Sequence, residues 1–285
     1  MTSHANGSVV EKLRPFVDYL EQLGKPAGFE RSFKISSAGV QGGRATVVTD
    51  PAALDPRHRQ LLADLQTALQ FPAVDQPAFD FWLKHCGLLH LGYELTRSAG
   101  LMFKIYLEFP YGKAGVPDNL LCAAYKWAPG MSTCLSTHYS VWPGDQAARW
   151  QWGDDAEAFE DPIWRDIWKS IQPLTQALPA ERLPEHRVPL LIGEAREANG
   201  RSSVDLNTHR LNLRLEQIDG LVAAVAKVCS LDPEALAFDP LVLEAGVQVL
   251  DHIVAGTGRE GEPFVSFYYG LKEVLPGQFE PCFAL

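Results

Sequence analysis

A set of charged and polar side chains occupies alternate positions in otherwise apolar segments. Arg44 and Lys104 are cations of this set, and Tyr106 adds a phenolic donor. An arginine fork, a lysine ammonium and a phenol together suit the binding of a diphosphate. Glu30 could act beside them as a general base. Taken singly, each of these residues is more commonly a partner in an internal ion pair. The whole set is Glu30, Lys34, Arg44, Glu94, Lys104, Tyr106, His138 and Tyr268.

The alternation is clearest in residues 101–109. Successive side chains of a β-strand point to opposite faces, so this pattern predicts a strand with one apolar and one polar face. Residues 28–36, 88–97, 134–142 and 264–272 predict similar strands. The apolar set of residues 101–109 is Leu101, Phe103, Ile105, Leu107 and Phe109, and the polar set includes Lys104, Tyr106 and Glu108.

Two structures explain such alternation. A half-exposed antiparallel sheet has a polar face in solvent, whereas a closed barrel has a polar face toward its interior. The polar positions here are poor in the Lys–Glu mixtures of solvated sheets and rich in Ser, Tyr, His and Gly. This composition favours an interior surface that lines a cavity.

Helices and hairpins alternate along the chain. Apolar spacing predicts helices over 9–23, 54–71, 78–86, 162–178, 216–228 and 233–255. Extended segments around turn residues predict hairpins of 28–36 with 43–49, 88–97 with 101–109, 120–127 with 134–142, and 188–197 with 203–213. A fifth hairpin has 264–272 as its first strand and 279–285 as the candidate partner.

These elements form a repeated αββα order. Strand twist accumulates in a sheet of nine or ten strands, and closure removes its exposed edges. The sequence therefore predicts an α+β fold, a barrel of about ten antiparallel strands with helices on its outside. We expect residues 1–285 to form a single domain.

Composition narrows the class of function. The chain of 285 residues has a formal net charge of −10, and it therefore lacks the basic surface that nucleic-acid binding requires. The N-terminus has no secretory signal pattern and no apolar run approaches ~20 residues, so a cytoplasmic protein without a membrane span is expected. The five cysteines lack a paired spacing, so buried thiols are expected.

Two motifs fit better as local structure than as binding sites. Residues 256–261, Gly-Thr-Gly-Arg-Glu-Gly, match a dinucleotide fingerprint, but a predicted helix precedes them where that motif needs a strand. They predict the C-terminal turn of that helix. Acidic residues between Asp154 and Asp161 could hold magnesium and a diphosphate, but a solvated loop before a helix explains them better.

Short motifs resemble those of the ABBA-fold prenyltransferases, and within them the group that modifies cyanobactin-type ribosomal peptides. The motifs are Phe-Glu-Arg-Ser-Phe-Lys-Ile-Ser at 29–36 with Arg44 in the next strand, Gly-Tyr-Glu-Leu-Thr-Arg at 92–97 with Phe-Lys-Ile-Tyr at 103–106, and Phe-Tyr-Tyr-Gly at 267–270. They fall in the first, second and last repeats, and the hairpin order agrees along most of the chain.

The resemblance implies a barrel in which an isoprenoid diphosphate, expected to bring Mg²⁺, lies against basic and tyrosine residues. A peptide side chain or an aromatic amino acid would then receive the isoprenyl group, dimethylallyl or geranyl. Glu30 corresponds to the catalytic glutamate, and Arg44 and Lys104 correspond to diphosphate ligands. Tyr106 stands where the family has a histidine. The remaining candidate substrate-binding residues are Glu94, His138, Asn207, His209, Tyr268 and Gly193, of which His138, Asn207 and His209 are assigned by alternation alone.

Two functions of other classes fit the same barrel. A non-catalytic isoprenoid- or lipid-binding protein needs an apolar pocket but no carboxylate beside a basic cluster. A peptide-binding maturation partner would use the same opening without chemistry. The combination of Glu30, Arg44 and Lys104 favours catalysis.

Overall fold

The computed structural model describes residues 3–50, 56–96, 100–110, 112–141, 165, 191–197, 200–218 and 220–282. The acidic segment 154–161 lies outside the described residues. So does the helix predicted over 162–178, apart from Arg165.

The described elements follow the αββα order through most of the chain. The helices are α1 (Ser3–Leu23), α2 (Pro56–Ala68), α3 (Gln76–Leu83), α4 (Leu221–Val228), α5 (Pro233–Ala237), α6 (Pro240–Gly246) and α7 (Phe279–Cys282). The strands are β1 (Ala27–Ser36), β2 (Gly39–Thr49), β3 (Leu88–Thr96), β4 (Gly100–Glu108), β5 (Leu120–Trp127), β6 (Leu135–Val141), β7 (Leu191–Arg196), β8 (Ser202–Asn207), β9 (Leu250–Thr257) and β10 (Pro263–Val274). Short 3₁₀ turns span Ala73–Asp75, His209–Leu211 and Leu215–Gln217.

The strands form a closed antiparallel barrel in which chain neighbours are also sheet neighbours. Their order is β1-β10-β9-β8-β7-β6-β5-β4-β3-β2, and the last strand returns to the first. Closure pairs both edges of the sheet. The predicted barrel of about ten strands is confirmed.

By its internal contacts the chain divides into two compact units. The first contains residues 1–31, 43–137 and 271–285, and the second contains residues 32–42 and 138–270. Each unit has its own hydrophobic core.

The core of the first unit forms between helices and one face of strands β2 to β5. The apolar residues of β4, from Leu101 to Leu107, and Phe109 after it pack with Phe16 of α1, Leu62 of α2 and Phe79 of α3. Helix α1 buries Leu13, Phe16, Val17, Leu20 and Leu23 at helical spacing, and Gly24 follows it at φ +65°. The polar residues of these strands face away from the helices, and we call that side the inner face.

The core of the second unit has the same construction. Val204 and Leu206 of β8, Ile253 of β9 and Phe267 of β10 pack with helical residues such as Val225. Helices α5 and α6 each begin with an aspartate followed by proline, and the carboxylates of Asp232 and Asp239 accept backbone N–H groups. The residues that alternate with the core residues form the inner face of this unit.

The last hairpin differs from the prediction. Residues 250–257 form β9 rather than the end of a helix, and β9 pairs with β10 in place of residues 279–285. Phe279–Cys282 is helical. Residues 256–261 therefore end β9 and form the hairpin turn. Gly256 is required there, because a Cβ at that position would collide with the Ser202 carbonyl oxygen.

Two further predicted elements are shorter than expected. Strand β8 ends at Asn207, and the next residues form a 3₁₀ turn in which Leu211 N–H donates to the Thr208 carbonyl. The helix predicted from residue 216 begins at Leu221, because Gly220 lies at φ +77° before it. His209 therefore lies in a turn and not on a strand.

The five cysteines are free thiols, of which Cys122, Cys134 and Cys229 are buried while Cys86 and Cys282 are half-buried. Within the described ranges, no helix combines the length and the apolar character needed to cross a membrane.

Candidate functional site

The inner face of the first unit is organised in rows that cross the strands. Arg44 of β2 lies opposite Glu94 of β3, which lies opposite Met102 of β4. The next row is Thr46, Gly92, Lys104 and Lys126, and the row after it is Val48, His90, Tyr106 and Ala124. Directly opposite residues share a face, so all of these side chains point away from the helices.

Glu94 is the centre of a buried ionic cluster. Both Lys104 Nζ and Lys126 Nζ contact its carboxylate, and Arg44 Nε lies 3.4 Å from Oε2. The side chains of Arg44, Glu94 and Lys104 are no more than 8% exposed. With all four groups ionised, three cations and one carboxylate carry two more positive than negative charges, which suits the binding of an anion.

The cluster changes the acidity of its members. Burial alone would raise the pKa of Glu94, but Lys104, Lys126 and Arg44 outweigh burial and hold that pKa well below its usual range. Burial lowers the pKa of Lys104 well below its usual value; Glu94 opposes this effect, while Arg44 and Lys126 add to it. An anion bound beside Lys104 would therefore favour its charged form.

Glu30 is buried on the same inner face. A Cβ built on Gly28 would lie 3.6 Å from the Cβ of Val48, so Gly28 and Val48 are neighbours across β1 and β2. Glu30 is two residues further along β1 and shares the face of Gly28. Antiparallel pairing then brings Glu30 beside Thr46, in the row that contains Lys104.

Tyr106 lies in the row next to Lys104. Its ring centroid is 6.4 Å from that of His90, in an edge-to-face arrangement. His90 Nε2 lies 2.9 Å from Glu108 Oε2. The first unit therefore brings together the predicted residues Glu30, Arg44, Glu94, Lys104 and Tyr106 on one face.

Sequence reasoning missed Lys126. Cys122, Ala124 and Lys126 alternate with Ala123, Tyr125 and Trp127 in β5, so the same alternation that selected Lys104 marks Lys126 as an inner-face residue. The short apolar side chains at 122 and 124 weakened that signal.

Predicted residues of the second unit form a separate group on its inner face. Tyr268 lies opposite His252, and His252 lies opposite Asn207. His252 Nδ1 is 3.0 Å from Asp205 Oδ1, and Asp205 lies opposite Gly193. His209, in the turn after β8, instead places Nδ1 3.0 Å from Asp251 Oδ1.

The prediction for His138 is wrong in its orientation. Tyr139 lies opposite Ala195 and Ser140 opposite Glu194, and Glu194 lies opposite Val204 of the core. His138 alternates with Tyr139, so it shares the core-side face with Ser140 and is exposed. His138 faces outward because its neighbour Tyr139 takes the inner position of this strand.

The described residues do not form a magnesium site. Among them, no group of three His, Cys, Asp or Glu side chains is placed to hold a metal ion. Glu94, on the inner face, is already engaged by three cations.

Comparison with known proteins relates the fold to one class of structures. No protein-family model matches the sequence. No curated protein sequence matches it either. Solved structures of prenyltransferases with the ABBA barrel match over most of the chain, which agrees with the fold that the sequence motifs implied.

Two of these structures give the extent of the similarity. The 5-dimethylallyltryptophan synthase from Streptomyces coelicolor has 11% identity and a TM-score of 0.50, over 93% of each chain. The NotF prenyltransferase has 14% identity and a TM-score of 0.53, over 85% of this chain and 80% of NotF. NotF is also known in complex with brevianamide F and DMSPP. At these identities the similarity concerns the fold.

Proposed function

We propose that the protein transfers an isoprenyl group from its diphosphate to an aromatic acceptor. The observation that carries the proposal is the cluster of buried Arg44 and Lys104 and half-buried Lys126 around Glu94, on the inner face of a barrel with the prenyltransferase fold. Cations that are desolvated and fixed before the reaction, as Arg44 and Lys104 are, stabilise a leaving anion more strongly than solvated ones.

The proposed chemistry begins with ionisation of the allylic C–O bond. Arg44, Lys104 and Lys126 bind the departing diphosphate, and their charges lie where negative charge develops. The Tyr106 ring, in the adjacent row, presents an aromatic face that can stabilise the allylic cation. Glu30 accepts the proton that the acceptor loses.

The acceptor is proposed to be an aromatic side chain, as a free amino acid or in a peptide. Two observations support this class: one similar structure is a dimethylallyltryptophan synthase, and another contains brevianamide F with DMSPP. The narrower proposal, a ribosomal peptide of the cyanobactin type, comes from the motifs at 29–36, 92–97 and 103–106. Within the second unit, Tyr268 is the candidate substrate-binding residue, and it lies opposite His252.

A non-catalytic isoprenoid-binding barrel is the second candidate function. An apolar tail requires an apolar wall, and burying charged groups for that purpose alone is costly. The presence of Glu94 and its three cations in place of apolar side chains favours binding of the charged end of a diphosphate.

The test is a transfer assay with mass detection. The full chain is incubated with dimethylallyl or geranyl diphosphate and with tryptophan, tyrosine, and linear and cyclic peptides that contain them, with Mg²⁺ or with EDTA. A mass gain of one isoprenyl unit is expected with at least one acceptor. Donor binding without transfer to any acceptor would favour the binding protein, and absence of donor binding would contradict both functions.

A further inference from the structure

His90 and Glu108 form a polar pair on the inner face of the first unit, outside the Glu94 cluster. His90 Nε2 is 2.9 Å from the Glu108 carboxylate. Because a carboxylate accepts, Nε2 carries the hydrogen of a neutral imidazole, and Nδ1 keeps the lone pair. Nδ1 of His90 has no hydrogen-bond partner among the described residues, and the side chain is 21% exposed. The pair therefore presents an oriented proton acceptor.

This proton acceptor lies next to the anion-binding cluster. His90 is opposite Tyr106, and Tyr106 is two residues from Lys104 on the same strand. Two residues of a strand span ~7 Å. The row that contains His90 and Tyr106 is therefore directly adjacent to the row that contains Lys104. A diphosphate held at Lys104 would leave its allylic carbon within reach of that row.

We propose that His90 is a second proton acceptor of this site and that Glu108 is its positioning residue. The inference rests on the proposed function. The C–O bond of the donor breaks, and its electron pair stays with the diphosphate. A bond forms between the allylic carbon and the acceptor, and the acceptor's proton moves to Nδ1 of His90. The Glu108 carboxylate stabilises the resulting imidazolium, which then releases the proton to water.

Glu30 and His90 approach an acceptor from different directions. They lie on β1 and β3, with β2 between them, and in adjacent rows, so two strand spacings across and two residues along the strand separate their Cα atoms by ~12 Å. At this separation, the carboxylate and the imidazole would accept protons from different atoms of one acceptor. The structure thus gives the reaction two positions where a proton can leave.

Other charged and titratable groups share this face with His90. Tyr106 and Glu108 are its nearest titratable neighbours, on β4. The other charged or titratable groups that the described strands place on the same face are Glu30 of β1, Arg44 of β2, Glu94 of β3, Lys104 of β4, and Cys122 and Lys126 of β5. Arg44, Glu94, Lys104 and Lys126 form the Glu94 cluster, and the variants below leave all six groups unchanged.

The test compares pH profiles of kcat/KM for wild type, His90→Gln, Glu108→Gln and the control His85→Gln. His85 is in contact with Phe81 of α3, on the helical side of the unit. We expect His90→Gln to lose activity by ~10²-fold or more, and to lose the acid limb that this histidine causes. In Glu108→Gln the limb should move to lower pH, because loss of the carboxylate disfavours the imidazolium. His85→Gln should match wild type.

Two further measurements keep the result decisive. Unchanged affinity for a non-hydrolysable donor analogue shows that His90→Gln is folded. The midpoint of the His90 titration, followed by NMR, should move to lower pH in Glu108→Gln, with or without substrates. If folded His90→Gln has the turnover and pH profile of the wild type, the inference is wrong and the proposed function is unaffected. If the acid limb of the kcat/KM profile does not move in Glu108→Gln, Glu108 does not have the proposed role. Absence of transfer by the wild type over the whole acceptor panel would overturn the proposed function and the inference with it.

Discussion

Gly92 lies directly opposite Lys104 on neighbouring strands, where its missing side chain leaves the inner face clear beside the buried ammonium. A Cβ at Gly92 would lie 3.1 Å from the Ala45 carbonyl oxygen, 3.4 Å from Thr46 Oγ1 and 3.7 Å from Lys104 Cβ. Contacts at the first two distances are tight. The row that connects Thr46 with Lys104 therefore depends on a glycine at its centre.

Gly92→Leu should abolish donor binding while the barrel still folds. The new side chain would occupy the inner face between Thr46 and Lys104, where we place the diphosphate, and overpacking costs ~1–3 kcal/mol of stability. Calorimetric titration with a donor analogue and thermal unfolding measure the two effects. Gly246→Ala is the control, because no atom lies within 4 Å of a Cβ at that position. Wild-type donor affinity in Gly92→Leu would place the diphosphate elsewhere.

Arg44→Ala and Lys104→Ala should each weaken donor binding. A hydrogen bond to a charged group contributes ~1.5–3 kcal/mol, so the dissociation constant should rise ~10- to 150-fold. Arg59→Ala, an exposed arginine on α2, is the matched control. Titration of each variant with a non-hydrolysable donor analogue gives the comparison. The diphosphate site would be wrong if both inner-face variants bound the analogue as tightly as the control.

Donor binding should take up a proton at alkaline pH. Burial lowers the pKa of Lys104 well below its usual value, so the lysine loses its proton in a pH range where exposed lysines keep theirs. A bound diphosphate favours the ammonium and raises that pKa, so affinity should fall as pH rises. Calorimetry in two buffers of different ionisation enthalpy detects the proton. Equal heats in both buffers across the alkaline range would show that Lys104 keeps its charge without the donor.

Prediction from sequence was most successful where strands have one apolar and one polar face. Lys104 and Tyr106 were assigned to the inner face because they alternate with Phe103 and Ile105, and helices cover the latter two. A helical core on one side and a polar inner face on the other impose this alternation directly.

Strand β9 shows why the last hairpin was predicted incorrectly. Ile253 packs in the core, but Val254 on the opposite face is also buried, so the segment lacks polar and apolar alternation. A register shift beside Asp251 interrupts the period further, since Tyr268 pairs with His252 and Tyr269 with Leu250. A short apolar run of this kind fits a helix as well as a strand.

The sequence alone does not predict which ionic groups contact each other, and the structure was needed to identify these pairs. The sequence places Glu94 and Lys104 on polar positions, but only strand register brings them together with Lys126, 32 residues beyond Glu94. The same holds for the contact between His90 and Glu108, which are diagonal neighbours across β3 and β4. Register depends on the whole hairpin and not on either residue alone.

Glu30→Gln should reduce transfer with little effect on donor affinity. The amide keeps the shape of the buried side chain but is not a base, so the rate should fall by ~10²–10⁴-fold. Glu273→Gln, at an exposed position of β10, is the control for loss of one carboxylate. Single-turnover kinetics with saturating donor separates the chemical step from binding. Turnover equal to the control would remove Glu30 from the role of base.

Gly193→Phe tests whether Gly193 determines the length of the donor. Gly193 is buried and lies opposite Asp205, on the face that alternates with Val204 and Leu206 of the core. Its pairing with β8 runs without a register shift, so no bulge in this pairing explains the glycine. The variant tests whether the glycine leaves space for another group.

The expected result is a change in donor preference. Each buried methylene contributes ~0.8 kcal/mol, so a pocket that accepts five additional carbons should favour geranyl over dimethylallyl diphosphate in the wild type. A phenylalanine at 193 would fill that space and reverse the preference, and Gly193→Ala should give an intermediate ratio. Competition assays with both donors present, read by product mass, measure the ratio directly. An unchanged ratio in Gly193→Phe would mean that the isoprenyl tail lies away from β7, and the length of the donor would then be determined by other residues.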